Sequence, residues 1–145
     1  MIEVICLGKI KENYLKDLID DYFKRIEKYI KIKITELPDN ENIKIEEENI
    51  LKNIDKKSYI ILLDICGDKI DSLKFASLID KTFISYPKIT FIIGGSNGVT
   101  ENVKNIANYR LSFSDMTYPH GLFRGVLLEQ IYRALKINNN ESYHK

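Results

Sequence analysis

Short apolar runs rich in β-branched residues alternate with longer segments of helical period along the whole chain, and this alternation limits the possible folds more than any other feature. Runs at Ile2 to Leu7, Ile32 to Leu37, Tyr59 to Ile65, Ile89 to Ile93 and Tyr109 to Phe113 read as strands. Between them the spacing predicts helices over about Asn13 to Lys31, a short stretch ending near Ile54, Ser72 to Ile84, Glu101 to Ala107 and His120 to Leu135. The expectation is an α/β fold with a largely parallel sheet. With 145 residues, about 69% of the extended chain's surface is buried on folding, enough for one core and too little for two. A single domain over residues 1–145 follows.

Hydrophobic residues at 44% and charged residues at 30% exclude a disordered or fibrous chain. The 22 Lys and Arg balance 21 Asp and Glu to a net charge of +1, so a charged partner must be recognised by a local patch and not by a global field. No apolar run approaches membrane-spanning length, and Met1 to Ile10 lacks the apolar stretch and cleavage site of a secretory leader; a cytoplasmic protein is expected. Cys6 and Cys66 are too isolated for a redox pair or zinc knuckle and are expected to be buried, reduced thiols. His120 and His144 lack ligand-spaced partners, so no metal site is expected.

In the first helix Tyr14, Leu15, Leu18, Ile19, Tyr22, Ile26, Tyr29 and Ile30 recur at helical spacing and predict a core-facing stripe. Phe91-Ile92-Ile93-Gly94-Gly95-Ser96-Asn97-Gly98 is a strand that stops at two glycines, with a third following. Ligands of open parallel sheets sit beyond such strand ends, so the segment is either a ligand loop or a plain strand-to-helix turn. The spacing is not G-x-G-x-x-G and no G-K-[ST] occurs, which disfavours dinucleotide-dependent oxidoreductases and P-loop enzymes.

Pro119 suits the first turn of the last helix, where its missing N–H is not needed. Arg124 falls within the apolar arc of Leu127, Leu128, Ile131 and Leu135 and so marks an interface, a polar cavity or a ligand. On the opposite face Glu129 and Arg133 read as a solvated i,i+4 pair. Gly121 and Gly125 leave a smooth strip, either a dimer contact or simply tolerated glycines, and the residues after Asn138 read by default as a frayed terminus.

Four segments taken in order, F-I-I-G-G-S-N-G, L-S-F-S-D-M-T-Y-P-H, L-L-E-Q-I-Y-R-A and a terminal Y-H-K, resemble the ribosomal RNA large-subunit methyltransferase H family, small SPOUT-class enzymes that methylate pseudouridine. The resemblance extends over essentially the whole chain, including Ile5-Cys6-Leu7-Gly8-Lys9 and the Leu37-Pro38-Asp39 turn. It implies a SPOUT-type sheet with a C-terminal trefoil knot, a homodimer, S-adenosylmethionine as cofactor, and 3-methylpseudouridine at position 1915 of 23S rRNA as product on the assembled ribosome. Carried over residue by residue, the cofactor contacts are Leu63, Gly94, Phe113, Ser114, Asp115, Met116, Thr117 and Tyr118. The catalytic candidates are His144, as base or to orient the nucleobase, Tyr143, to stack or hydrogen-bond, and Arg124 and Arg133, to hold RNA phosphate or bridge the dimer. The tail of one subunit is expected to complete the cofactor site of the other. Gly121 stands where the family often has a polar residue, and Asn140 where it often has Gly, a mild change because Asn tolerates a left-handed turn. The rival readings are a non-catalytic ribosome-binding or assembly factor of the same fold and a flavodoxin-like module.

Overall fold

The computed structural model describes residues 1–145. In chain order the elements are β1 (Ile2–Leu7), α1 (Asn13–Glu27), β2 (Ile32–Leu37), α2 (Ile43–Asn53), β3 (Ser58–Lys69), α3 (Ser72–Ser85), β4 (Lys88–Ile93), α4 (Glu101–Ile106), β5 (Tyr109–Ser112) and α5 (His120–Asn138). The strands form one sheet in the order β2-β1-β4-β3-β5, parallel throughout. Asn42, Asp71 and Thr100 cap α2, α3 and α4 by accepting from backbone N–H groups of their first turns. None of the helices is long and apolar enough to cross a membrane.

Strand alternation divides the core in two. Ile2, Val4, Ile61, Ile89, Phe91 and Leu111 pack with α1, α3 and α5, whereas Ile5, Leu7, Ile60, Leu62 and Ile92 pack with Ile50 of α2 and Val103 of α4. Burial on both faces is why these strands read as continuous apolar runs and not as alternating ones.

Glu3, on the same side as Ile5, is buried with its carboxylate held by Thr35 Oγ1 at 2.6 Å and Lys88 Nζ at 2.7 Å, with Lys33 Nζ at 3.8 Å. Burial pushes its pKa up, but Lys88, Thr35 and Lys33 outweigh it and hold the group below the ordinary 4.5. The stability it contributes is therefore complete above that value and is lost as pH falls through the folded-state pKa. Glu3→Gln is expected to lower unfolding free energy by about 1–3 kcal/mol at pH 7. In urea titrations that deficit should shrink below about pH 4.

Several expectations are corrected. β3 continues four residues past Ile65 because β5 pairs with it twice: Leu111 lies opposite Leu63 and again opposite Asp68, with Ser112 opposite Lys69. Helix α1 stops at Glu27, and Tyr14 is 72% exposed and lies outside the core stripe. Cys6 is buried, which drives its thiol up to about 11, but Cys66 is exposed. The strip at Gly121 and Gly125 is filled from within the chain. A Cβ there would come 2.7 Å from Leu15 Cδ1 and 2.6 Å from Leu18 Cδ2 of α1.

Candidate functional site

Leu63 pairs with Ile93 on one side and with Leu111 on the other, so the first half of β3 lies level with the carboxyl ends of β4 and β5. Beyond their carboxyl ends opens a cavity of about 650 Å³. Leu63, Gly94, Phe113, Ser114, Met116, Thr117 and Tyr118 all line it. Asp115, expected with them, points to solvent and pairs with Lys69.

The loop after β5 is shaped by its serines. Ser112 Oγ donates to the Ser114 carbonyl at 3.1 Å, and Ser114 Oγ accepts from the Met116 N–H at 2.9 Å. Phe113 stands between Phe75 and Phe123, with ring centroids 6.2 and 5.1 Å away, and Tyr118 continues the series 5.6 Å from Phe123. This aromatic wall fixes the loop against α3 and α5.

The glycine loop forms the facing wall. Gly98 adopts φ +73° and its N–H donates to the Gly95 carbonyl at 3.0 Å, so the chain doubles back on itself. A Cβ on Gly94 would lie 2.8 Å from Val99 Cγ1. The loop's own packing therefore requires glycine at 94, a reason the sequence did not show.

Asp64, Lys104, His120 and Phe123 also line the cavity and had been given no role. Asp64 accepts from Arg110 Nη2 at 2.6 Å. Burial raises its pKa, but the Cys66 N–H and Arg110 more than offset this and keep it ionised below the usual range. Its place at the end of a buried strand is the signal that could have identified it.

Arg124, 3% exposed, donates from Nη1 to Glu36 Oε2 at 2.7 Å and from Nη2 to the Gly8 carbonyl at 3.2 Å, while its Nε has no partner. Of the three settings expected for it, the chain supplies a polar cavity, tying α5 to the ends of β1 and β2.

The tail is laid down, not frayed. Tyr143 donates to Glu129 Oε1 at 3.0 Å, lies 3.4 Å from the Tyr22 hydroxyl and packs edge-on against Tyr132. Arg133 binds the same Glu129 oxygen at 2.6 Å, sits 4.8 Å from the Tyr143 ring centre and meets His144 Nδ1 at 3.1 Å. Asn140 takes φ 55°, the left-handed turn that its position calls for. Glu129 is thus the centre of the cluster and not half of a solvated pair. Burial, then Tyr22 and Glu129, push the Tyr143 phenol far up, so it stays protonated and donates.

Arginine can only donate, so His144 Nδ1 is an acceptor and Nε2 carries the ring proton. The exposed ring thus presents an N–H to whatever it meets. Ten residues of α5 separate Arg133 from Phe123 at the cavity, about 15 Å along the helix axis. The structure therefore forms two groups, the cavity residues and the Arg133–Tyr143–His144 cluster, with Arg124 in neither.

Comparison with known proteins agrees with this architecture. The sequence model of the family described as "Predicted SPOUT methyltransferase" matches residues 1–144. The chain is 48% identical over 157 aligned positions to a Clostridium botulinum (strain 657 / Type Ba4) protein named ribosomal RNA large subunit methyltransferase H, covering 99% of each. It is 45% identical, with the same coverage, to ribosomal RNA large subunit methyltransferase H 1 of Clostridium perfringens (strain SM101 / Type A). Among solved structures, a probable methylase family protein from Haemophilus influenzae Rd KW20 superposes with a TM-score of 0.56 at 14% identity, over 99% of this chain and 70% of that one. The SpoU methyltransferase AviRb from Streptomyces viridochromogenes, in complex with AdoMet, gives 0.50 at 11% identity over 96% and 58%. The latter two likenesses concern the fold.

Proposed function

Because the chain belongs to the SPOUT methyltransferase family, we propose that it is an S-adenosylmethionine-dependent methyltransferase of ribosomal RNA. On this reading it is a single knotted domain over 1–145 that works as a homodimer and forms 3-methylpseudouridine at position 1915 of 23S rRNA on the ribosome.

One observation carries the proposal: seven residues drawn from β3, the glycine loop and the 113–118 loop enclose one cavity of about 650 Å³ at the carboxyl edge of a parallel sheet. The residues fit the cofactor. Leu63, Ile93, Leu111, Phe113 and Phe123 provide apolar walls for an adenine, and the backbone of Ser114 to Thr117 offers N–H and C=O groups to its edge. When bound, S-adenosylmethionine supplies a methyl carbon activated by a sulfonium sulfur. Leu63, Phe113, Phe123 and the glycine loop would hold that group in one orientation, so that alignment would supply most of the rate.

His144 lies too far from its own cavity to act there, so the tail is assigned to the cavity of the partner subunit. With Nε2 carrying the proton, His144 orients a nucleobase carbonyl, and the imide proton that the methyl group replaces leaves to solvent water. Arg133 holds the ring in that tautomer and Tyr143 anchors the tail. Arg124 acts from inside, fixing the Gly8 turn.

Radiolabelled methyl transfer to ribosomes lacking the modification is expected to label one pseudouridine, with free ribosomal RNA labelled poorly. Ribosome binding without label would instead support the non-catalytic factor. No calorimetric heat with S-adenosylmethionine or its demethylated product would overturn both pocket and reaction.

A further inference from the structure

Connections leave β1 and β4, which are adjacent, in opposite directions: β1 leads to β2 and β4 leads past β3 to β5. Their junction is the topological switch point of the sheet, where open parallel sheets form a ligand crevice. A second cavity of about 410 Å³ lies there, lined among others by Gly8, Lys9, Tyr14, Asp39 and Arg124. It shares Ser96 and His120 with the first cavity.

We infer that this second cavity takes the acceptor nucleobase, and that Asp39 selects pseudouridine over uridine by accepting a hydrogen bond from the ring N–H that only pseudouridine has. The inference rests on the methyltransferase reading above. Reacting atoms must approach to about 3–3.5 Å, so the acceptor occupies space continuous with the first cavity. Ser96 and His120 line both cavities, so the second cavity adjoins the first.

The Leu37-Pro38-Asp39 turn is held in place by backbone pairing. Leu7 lies opposite Leu37, and the Gly8 N–H donates to the Leu37 carbonyl at 2.8 Å. Gly8, at φ +87°, leaves no room for a Cβ, which would come 2.6 Å from Asp39 Oδ2. The exposed carboxylate lies over the Gly8 backbone and lines the cavity as a pure acceptor. Pseudouridine is joined to its sugar through carbon, so both ring nitrogens carry hydrogen, whereas in uridine one is bonded to the sugar. The two N–H directions diverge by about 120° from ring geometry. With the nitrogen to be methylated aimed past Ser96 and His120, the other faces the Asp39 side. Tyr14, 72% exposed at the rim, offers a stacking face to a neighbouring base.

The test compares ribosomes carrying pseudouridine at the target with ribosomes from a strain lacking the relevant pseudouridine synthase, which carry uridine. Wild-type kcat/KM is expected to favour pseudouridine by roughly tenfold or more. Asp39→Ala should bring the two substrates within about twofold by losing rate on pseudouridine alone, with cofactor affinity and Tm unchanged. Asp39→Asn, which keeps an acceptor oxygen, should restore part of the preference. Tyr14→Ala should raise KM for ribosomes several-fold. Preference retained by Asp39→Ala, or absent from the wild type, overturns the inference while leaving the methyltransferase reading intact. Failure of the wild type to methylate either substrate overturns that reading and this inference with it.

Discussion

Removing Tyr143, His144 and Lys145 is expected to lower methyl transfer by at least about 10²-fold while cofactor affinity stays within about threefold. The cavity proposed for the cofactor is built from β3, the glycine loop and the 113–118 loop, whereas Tyr143 and His144 bond to and pack on Tyr22, Glu129, Tyr132 and Arg133. Their role is toward the acceptor, so single-turnover rate and calorimetric affinity should separate. The truncation also removes the Tyr143 bonds to Glu129 and its packing on Tyr132, a loss of about 1–2 kcal/mol. His144→Ala controls for this, because the ring is exposed and held only by Arg133. It should reproduce most of the rate loss with Tm unchanged. Turnover at the wild-type level would remove His144 from the mechanism.

Gly67→Ala is expected to abolish cofactor binding and to destabilise the fold by about 3 kcal/mol or more, lowering Tm by roughly 6–12 °C. A Cβ there would lie 2.5 Å from the Arg110 carbonyl oxygen, 2.6 Å from its carbon and 2.8 Å from the Leu111 nitrogen. All three are backbone atoms of β5, so no side chain can swing aside. Relief requires β5 to move away from the extension of β3, and β5 carries Leu111 and leads directly into the 113–118 wall of the cavity. Thermal unfolding and calorimetry should show both effects together. A variant that bound the cofactor normally would show that the doubled strand pairing does not shape the site.

The contrast between these two sites shows what the sequence could convey. Strands such as Ile2–Leu7 and Ile32–Leu37 and helix starts such as Ser72 and Glu101 were legible because local signals, apolar runs and capping residues, determine them. The cavity residues were not legible in this way: the family resemblance and no local signal pointed to them, and seven of the eight line one cavity. Asp-Ile-Cys-Gly-Asp-Lys has no strand pattern; its extended form depends on β5, more than forty residues later. Glu129 and Arg133 looked like any exposed helical pair because their partners Tyr143 and His144 lie in the tail beyond the helix. Arg124 betrayed itself by charge on an apolar arc, yet nothing local could single out Glu36 and the Gly8 carbonyl as its partners.

The position of α5 has a consequence for how the polypeptide matures. Leu127, Leu128, Ile131, Ala134 and Leu135 cover the sheet face that α1 and α3 flank, and they follow all five strands in chain order. A nascent chain that has emerged only through β5 leaves Val4, Phe91 and Ile61 without their cover, which favours chaperone capture over early closure. Docking of α5 is thus the event that closes this face of the sheet, and the loop from β5 into α5, which lines the cavity, is set in place with it.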